Sequence, residues 1–263
     1  MKSAVSRVVV TVSVVAALGA SAACSGSGDD DAKKPAKPHA GVGSAALEEA
    51  ALAAGDVKGY EVETPKKSGV AEGPAAGKPS PTECAPLAAM LGSGSGSGAG
   101  AASGGAAKAK ARVDRVLTPT DDAVSTTTGV ELAAYTEAGA KQAMTDLRTA
   151  SKSKKCSAFR VGEQRYLGVK SLPAPEGGGD EVVSYKIAHR KGEFVMRDSV
   201  TVVRSGATLA VFDASNLYDP EGVQSDREAA KDGADDVAGA GAPTADEDPK
   251  VAPAIVDAQL GKL

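Results

Sequence analysis

The chain has 263 residues, a formal net charge of −4, five tyrosines, three phenylalanines and no tryptophan. A surplus of acid excludes the basic patch of a nucleic-acid binder, and equally a protein held to anionic lipid by its own charge. Every aromatic residue falls between Tyr60 and Tyr218, so one core of domain size is expected there and none at the ends.

In chain order, Lys2 and Arg7 stand in a leader without acid, and Val8 to Ala20 is an uncharged run rich in Val and Ala. That is the charged head and apolar stretch of an export signal, too short to cross a bilayer, which takes about 20 apolar residues. Ser21-Ala22-Ala23 follow, then Cys24. The segment resembles a bacterial lipoprotein signal with its lipobox. The resemblance implies cleavage before Cys24, a diacylglyceryl group on its thiol, and anchoring at the outer face of the cytoplasmic membrane. Ser21 stands where that motif usually has Leu, and Ala20-Ser21-Ala22 also fits an ordinary signal peptidase, which would leave Cys24 a spare thiol. Cysteine parity favours the lipid: of Cys24, Cys84 and Cys156, acylation removes the odd one and leaves the other two as a disulfide pair. Two reduced, buried thiols are the alternative.

Residues 24–44 read as a solvated tether. Asp29, Asp30 and Asp31 lack the oxygen cage and turn glycine of a calcium loop. Residues 45–218 read as the folded domain. Ala45 to Ala54 favours a helix, and Tyr60 to Thr64 alternates like a strand. Ser80, Pro81 and Glu83 spell a capping box opening a helix whose buried face carries Cys84, Leu87, Ala88 and Leu91. A disordered Gly/Ser insert is expected at 92–108. Strands are expected at Ala111 to Thr118 and Thr126 to Tyr135, then a helix from Glu137 to Ser151 that ends beside Cys156. Tyr166 to Val169, Glu181 to Arg190, Phe194 to Val202 and Ala207 to Asp213 follow with period two, the last three joined by short turns. Residues 219–249 read as an acidic disordered linker, and 250–263 as a helix docking through Ile255, Val256 and Leu260. The expected class is α+β: one domain, an antiparallel sheet with a meander in its C-terminal half, and helices on one face.

With that order in place, ALAAGDVKGY, PTECAPLAAML, DLRTASKSKKCSAF and GGGDEVVSYKIAHRKGEFVMRDSVTVVRSGATLAVF resemble the PknH-like extracellular sensor domain. That group covers the outer domain of a mycobacterial receptor kinase and many actinobacterial lipoproteins. The resemblance implies an antiparallel sheet with packed helices forming a cleft, and a role in sensing or ligand capture. This chain lacks the tryptophans and the second cysteine pair common in that group, and it carries no kinase domain.

Chemistry is sparse. The two histidines are His39 in the tether and His189 near a hairpin turn, where a solvated imidazole is expected. Neither serves a nucleophile elbow, and no ligand set for a metal or a cofactor is spaced along the chain. Gly177 to Asp180 leads into a strand, not a helix N-terminus, so it reads as a turn and not a phosphate loop. Asp121-Asp122 and Asp180-Glu181 are adjacent acids of the kind a glycosidase would need to bring together in space. Asp198 interrupts an apolar alternation. Either a bulge turns it outward, or it is buried with a partner, and with Arg197 or Arg204 nearby it would anchor a ligand. The leading expectation is a lipid-anchored, monomeric, non-enzymatic binding or sensor-like protein facing out of the cell. Its partner beyond the membrane would be a small ligand or an envelope protein. An envelope interaction module and a secreted hydrolase are the alternatives.

Overall fold

The computed structural model describes residues 43–65, 77–91, 108–121, 126–175, 178–222, 224 and 248–263, all within one compact unit spanning 39–263. Cys24, His39, the leader and the tether up to residue 42 lie outside the described residues, as do Asp122, nearly all of the Gly/Ser insert and most of the acidic linker; Ser44, expected to end the tether, already opens a helix.

The nine strands are β1 (Tyr60–Glu63), β2 (Pro79–Ser80), β3 (Ala111–Pro119), β4 (Thr127–Ala134), β5 (Ala158–Val161), β6 (Gln164–Leu172), β7 (Glu181–Lys191), β8 (Phe194–Ser205) and β9 (Thr208–Tyr218). They form one sheet in the order β1-β3-β4-β9-β8-β7-β6-β5-β2, with every neighbouring pair antiparallel. The expected meander β7–β8–β9 is its centre. The helices are α1 (Ser44–Ala50), α2 (Ala85–Met90), α3 (Glu137–Lys152) and α4 (Pro253–Leu260). The class is α+β.

The helices cover both faces of the sheet, not one. On the first face, α2 and α3 bury Leu87, Met144 and Leu147 against Val183, Ile187, Val200, Val202, Leu209 and Val211. On the second, α1 and α4 bury Leu47 and Ile255 against Val130, Leu132, Val203, Ala210 and Phe212. Successive strand residues point to opposite faces, so β8 and β9 can be buried on both sides only by reading as near-continuous apolar runs, as Val200 to Val203 and Thr208 to Phe212 do. The buried Gln259 ties α4 to α1: it accepts from the Leu52 N–H at 3.2 Å and donates to the Ala50 carbonyl at 2.8 Å.

Two local expectations fail for a stated reason. Ser80 pairs with Arg160 across β2 and β5 and makes no cap, so a 3-10 turn at Thr82–Cys84 precedes a short α2. Glu83 is drawn instead to Lys155, 3.0 Å away and exposed. The cap that does form belongs to α3, where the Thr136 hydroxyl accepts from the Gly139 N–H at 3.0 Å. Cys84 and Cys156 are bonded, Cα atoms 5.5 Å apart. The bond joins the entry of α2 to the exit of α3 and closes a loop of 72 residues in separation, worth about 4 kcal/mol in the chain-entropy account.

Candidate functional site

Asp198 lies in β8 two residues from Val200, so the alternation that buries Val200 and Val202 under α3 carries Asp198 onto the same face. It is 6% exposed. No bulge turns it outward, since β8 keeps unbroken register with β7 and β9, pairing Asp198 with Ile187 and Ser215. Its diagonal neighbour on β9 is Asp213, opposite Val200 on one side and Gly129 on the other. Two carboxyl groups thus share one buried patch.

Three further groups close around them. Tyr185 on β7 is opposite Val200, and His189 is opposite Met196 on β8 and Tyr166 on β6. The His189 ring tilts against Tyr166 with centroids 5.3 Å apart, and Tyr166 stacks on Phe159 at 5.2 Å. His189 is therefore packed in, not solvated as its place near a turn suggested. Its Nδ1 is 3.7 Å from Asp198 Oδ2, an ion-pair distance too long for a hydrogen bond.

The electrostatics follow from burial. Loss of water raises the pKa of Asp198, with His189 pulling the other way. Asp213 rises well above the ordinary carboxylate range, first from burial and then from the Asp198 charge. Burial, followed by the fields of both acids, pushes Tyr166 up to about 12 and raises Tyr185 as well. Among the described residues no Lys or Arg pairs with either aspartate.

Asp213 Oδ1, the Tyr185 hydroxyl and His189 Nδ1 are buried and make no hydrogen bond. Each such orphan costs about 1–3 kcal/mol, which is large beside a domain stability of about 5–15 kcal/mol. Native interiors hold few of them, and several together mark a place where water or a ligand supplies the partner. Further along the same face Asp114 is also raised by burial, but its cross-strand neighbour Glu131 pairs with Arg112.

Neither arginine tied to Asp198 by sequence reaches it. Arg197 is the next residue along the strand and so points to the opposite face. There its Nε donates to Asn216 Oδ1 at 3.1 Å, and its guanidinium lies 4.9 Å from the Tyr218 ring centre. Arg204 shares the face but stands six residues away, about 20 Å at strand rise. It donates to Asp180 Oδ2 at 2.8 Å and to Glu181 Oε2 at 3.1 Å. Arg148 holds the other Glu181 oxygen at 2.8 Å, and the Glu181 carboxyl is lowered, chiefly by Arg148. Asp180 and Glu181 thus clasp strands together and do not converge on a cavity. Gly179 is needed beside them: its φ is +77°, and a Cβ there would sit 2.7 Å from the Arg204 carbonyl oxygen.

Away from the acids, a concavity of about 450 Å³ opens beside α1 and the β8–β9 turn, lined by Leu47, Glu49, Ala50, Thr208 and Lys262 among others. Lys262 there is engaged with Asp56 at 2.6 Å, and none of its lining atoms is among the buried unpartnered ones. Among the described residues, no group of three His, Cys, Asp or Glu side chains is placed to hold a metal ion, and no helix is long and apolar enough to cross a membrane.

No protein-family model matches the sequence, and no curated protein matches it. Among solved structures the chain is similar to the extracellular domain of PknH from Mycobacterium tuberculosis, with 10% sequence identity and a TM-score of 0.42, over 68% of this chain and 89% of that one.

Proposed function

We propose that the chain is an exported protein held at the outer face of the cytoplasmic membrane by lipid on Cys24, and that its globular part is a ligand-binding or sensor-like domain without catalytic chemistry. Three buried polar atoms that make no hydrogen bond, Asp213 Oδ1, Tyr185 Oη and His189 Nδ1, carry the binding part of this reading. A group from outside the chain relieves their cost. A catalytic centre needs a nucleophile beside a base, or an acid and base arranged about a reacting atom. His189 faces Asp198 and Tyr166, and among the described residues no hydroxyl or thiol is hydrogen-bonded to its ring, so the arrangement suits holding a ligand.

The export and anchor part is supported by the leader and by cysteine parity. The Cys84–Cys156 bond uses two of the three thiols, and disulfides persist in oxidising compartments. Metabolic labelling with a fatty-acid probe tests the anchor: wild type takes up label and Cys24→Ser does not. Equal labelling of the two would refute the anchor.

A further inference from the structure

Resting on the binding reading above, we propose that Asp198 and Asp213 seat the ammonium head of a small amphipathic organic cation, whose apolar part lies along Met196, Leu217 and Phe194. The charge argument comes first. Among the described residues, two carboxyl groups occupy one buried patch without a paired Lys or Arg, and a cation is the partner that lets both ionise. A primary ammonium brings three N–H donors. It meets Asp198, Asp213 Oδ1 and the Tyr185 hydroxyl, the latter two being acceptors with no partner inside the chain. Tyr185 is fully buried, and its hydroxyl feels the charge of both acids. A metal ion fits less well, since the described residues form no ligand group for one.

The apolar part of the ligand follows from an independent observation. Among the described residues, Phe194 at 38% and Leu217 at 42% are the exposed large hydrophobics. Both project from the face that carries the acids, because Phe194 is four residues from Asp198 and Leu217 four from Asp213 along their strands. Met196, opposite Leu217, bridges them. At about 3.4 Å per residue, Met196 lies about 7 Å from Asp198, within reach of a hexyl chain, and Phe194 about 14 Å, within reach of a longer one. The sequence of groups along the sheet is therefore exposed apolar, then half-buried His189, then buried acid. That gradient matches a ligand with an oily tail outward and a charged head inward.

Calorimetry at pH 7.5 on the purified mature chain tests this with hexylammonium, methylammonium, hexanol and hexanoate. Hexylammonium binds, and methylammonium binds at least tenfold more weakly, from about two- to fourfold per methylene laid on apolar surface. Hexanol and hexanoate do not bind. Asp213→Asn and Asp198→Asn, isosteric and checked by thermal melts, each weaken hexylammonium tenfold or more. Tyr185→Phe weakens it less, and Leu217→Ser removes only the advantage of the longer chain. Equal binding of hexylammonium to wild type and Asp213→Asn overturns the inference, and so does equal binding of the two amines. Hexanol or hexanoate binding that depends on Asp213 overturns the cation class while leaving a ligand site in place. No binding by any probe up to its solubility overturns both the inference and the binding reading beneath it.

Discussion

Strands β7 and β8 carry a charged cluster at each end of one face, and the two are opposites in design. At one end Arg204 lies between Asp180 and Glu181, with Arg148 on the outer oxygen of Glu181. At the other, Asp198 and Asp213 share a patch with His189 and two tyrosines, and among the described residues no strong base answers them. The first cluster is complete within the chain; the second has acceptors to spare. Sequence alone shows acids and bases at both ends. The difference lies in register, which turns Arg197 away from Asp198 and carries Arg204 about 20 Å along the strand.

Breaking the fold beneath both clusters should have the largest effect. Replacing Cys84 and Cys156 together by Ser lowers stability by about 4 kcal/mol, read as a drop in denaturation midpoint with a steeper slope, since the unfolded chain expands without the crosslink. Substituting Gly179 by Val should cost about 2–3 kcal/mol, from positive φ and contact with the Arg204 backbone, and should loosen the complete cluster alone. Arg204→Met leaves the half-exposed Asp180 without a base and Glu181 with Arg148 alone, and costs about 1–2 kcal/mol after solvent screening.

The pH profile separates the two ends by sign. The Glu181 carboxyl is lowered in the folded chain, so its contribution is present above the unfolded carboxylate pKa and fades as pH falls through the folded value. Asp213 is raised. Its contribution is full below the unfolded pKa and is lost as pH rises through the folded value. Glu181→Gln therefore flattens the acid limb of a stability profile, while Asp213→Asn flattens the loss toward neutral and alkaline pH and leaves the acid limb in place. The smallest effect should come from Glu83→Gln, which breaks an exposed ion pair with Lys155 and should leave the melting midpoint where it was.

Much of the scaffold is legible in the residues. The stripe Ala140, Ala143, Met144 and Leu147 places α3, and period two with short turns places β7–β8–β9. The second helical layer is not legible, because alternation along β8 and β9 points to one apolar face when both faces are apolar. β5 and the two-residue β2 are too short to show a period. The site was half legible. Asp198 announces itself by breaking an apolar pattern, whereas Asp213 stands where the sequence pattern ends its strand. β9 in fact runs on to Tyr218, and the alternation Leu209, Val211, Asp213 was the available signal that it shares a face with Asp198. His189 gives no sign in sequence that a tyrosine will cover it.

The most direct test of the account is a carboxyl-carbon NMR titration of Asp198 and Asp213 in the disulfide-bonded chain. The account predicts that Asp213 titrates well above the ordinary carboxylate range, and that saturating hexylammonium draws its midpoint down. An ordinary midpoint near 4, unmoved by the amine, would contradict it.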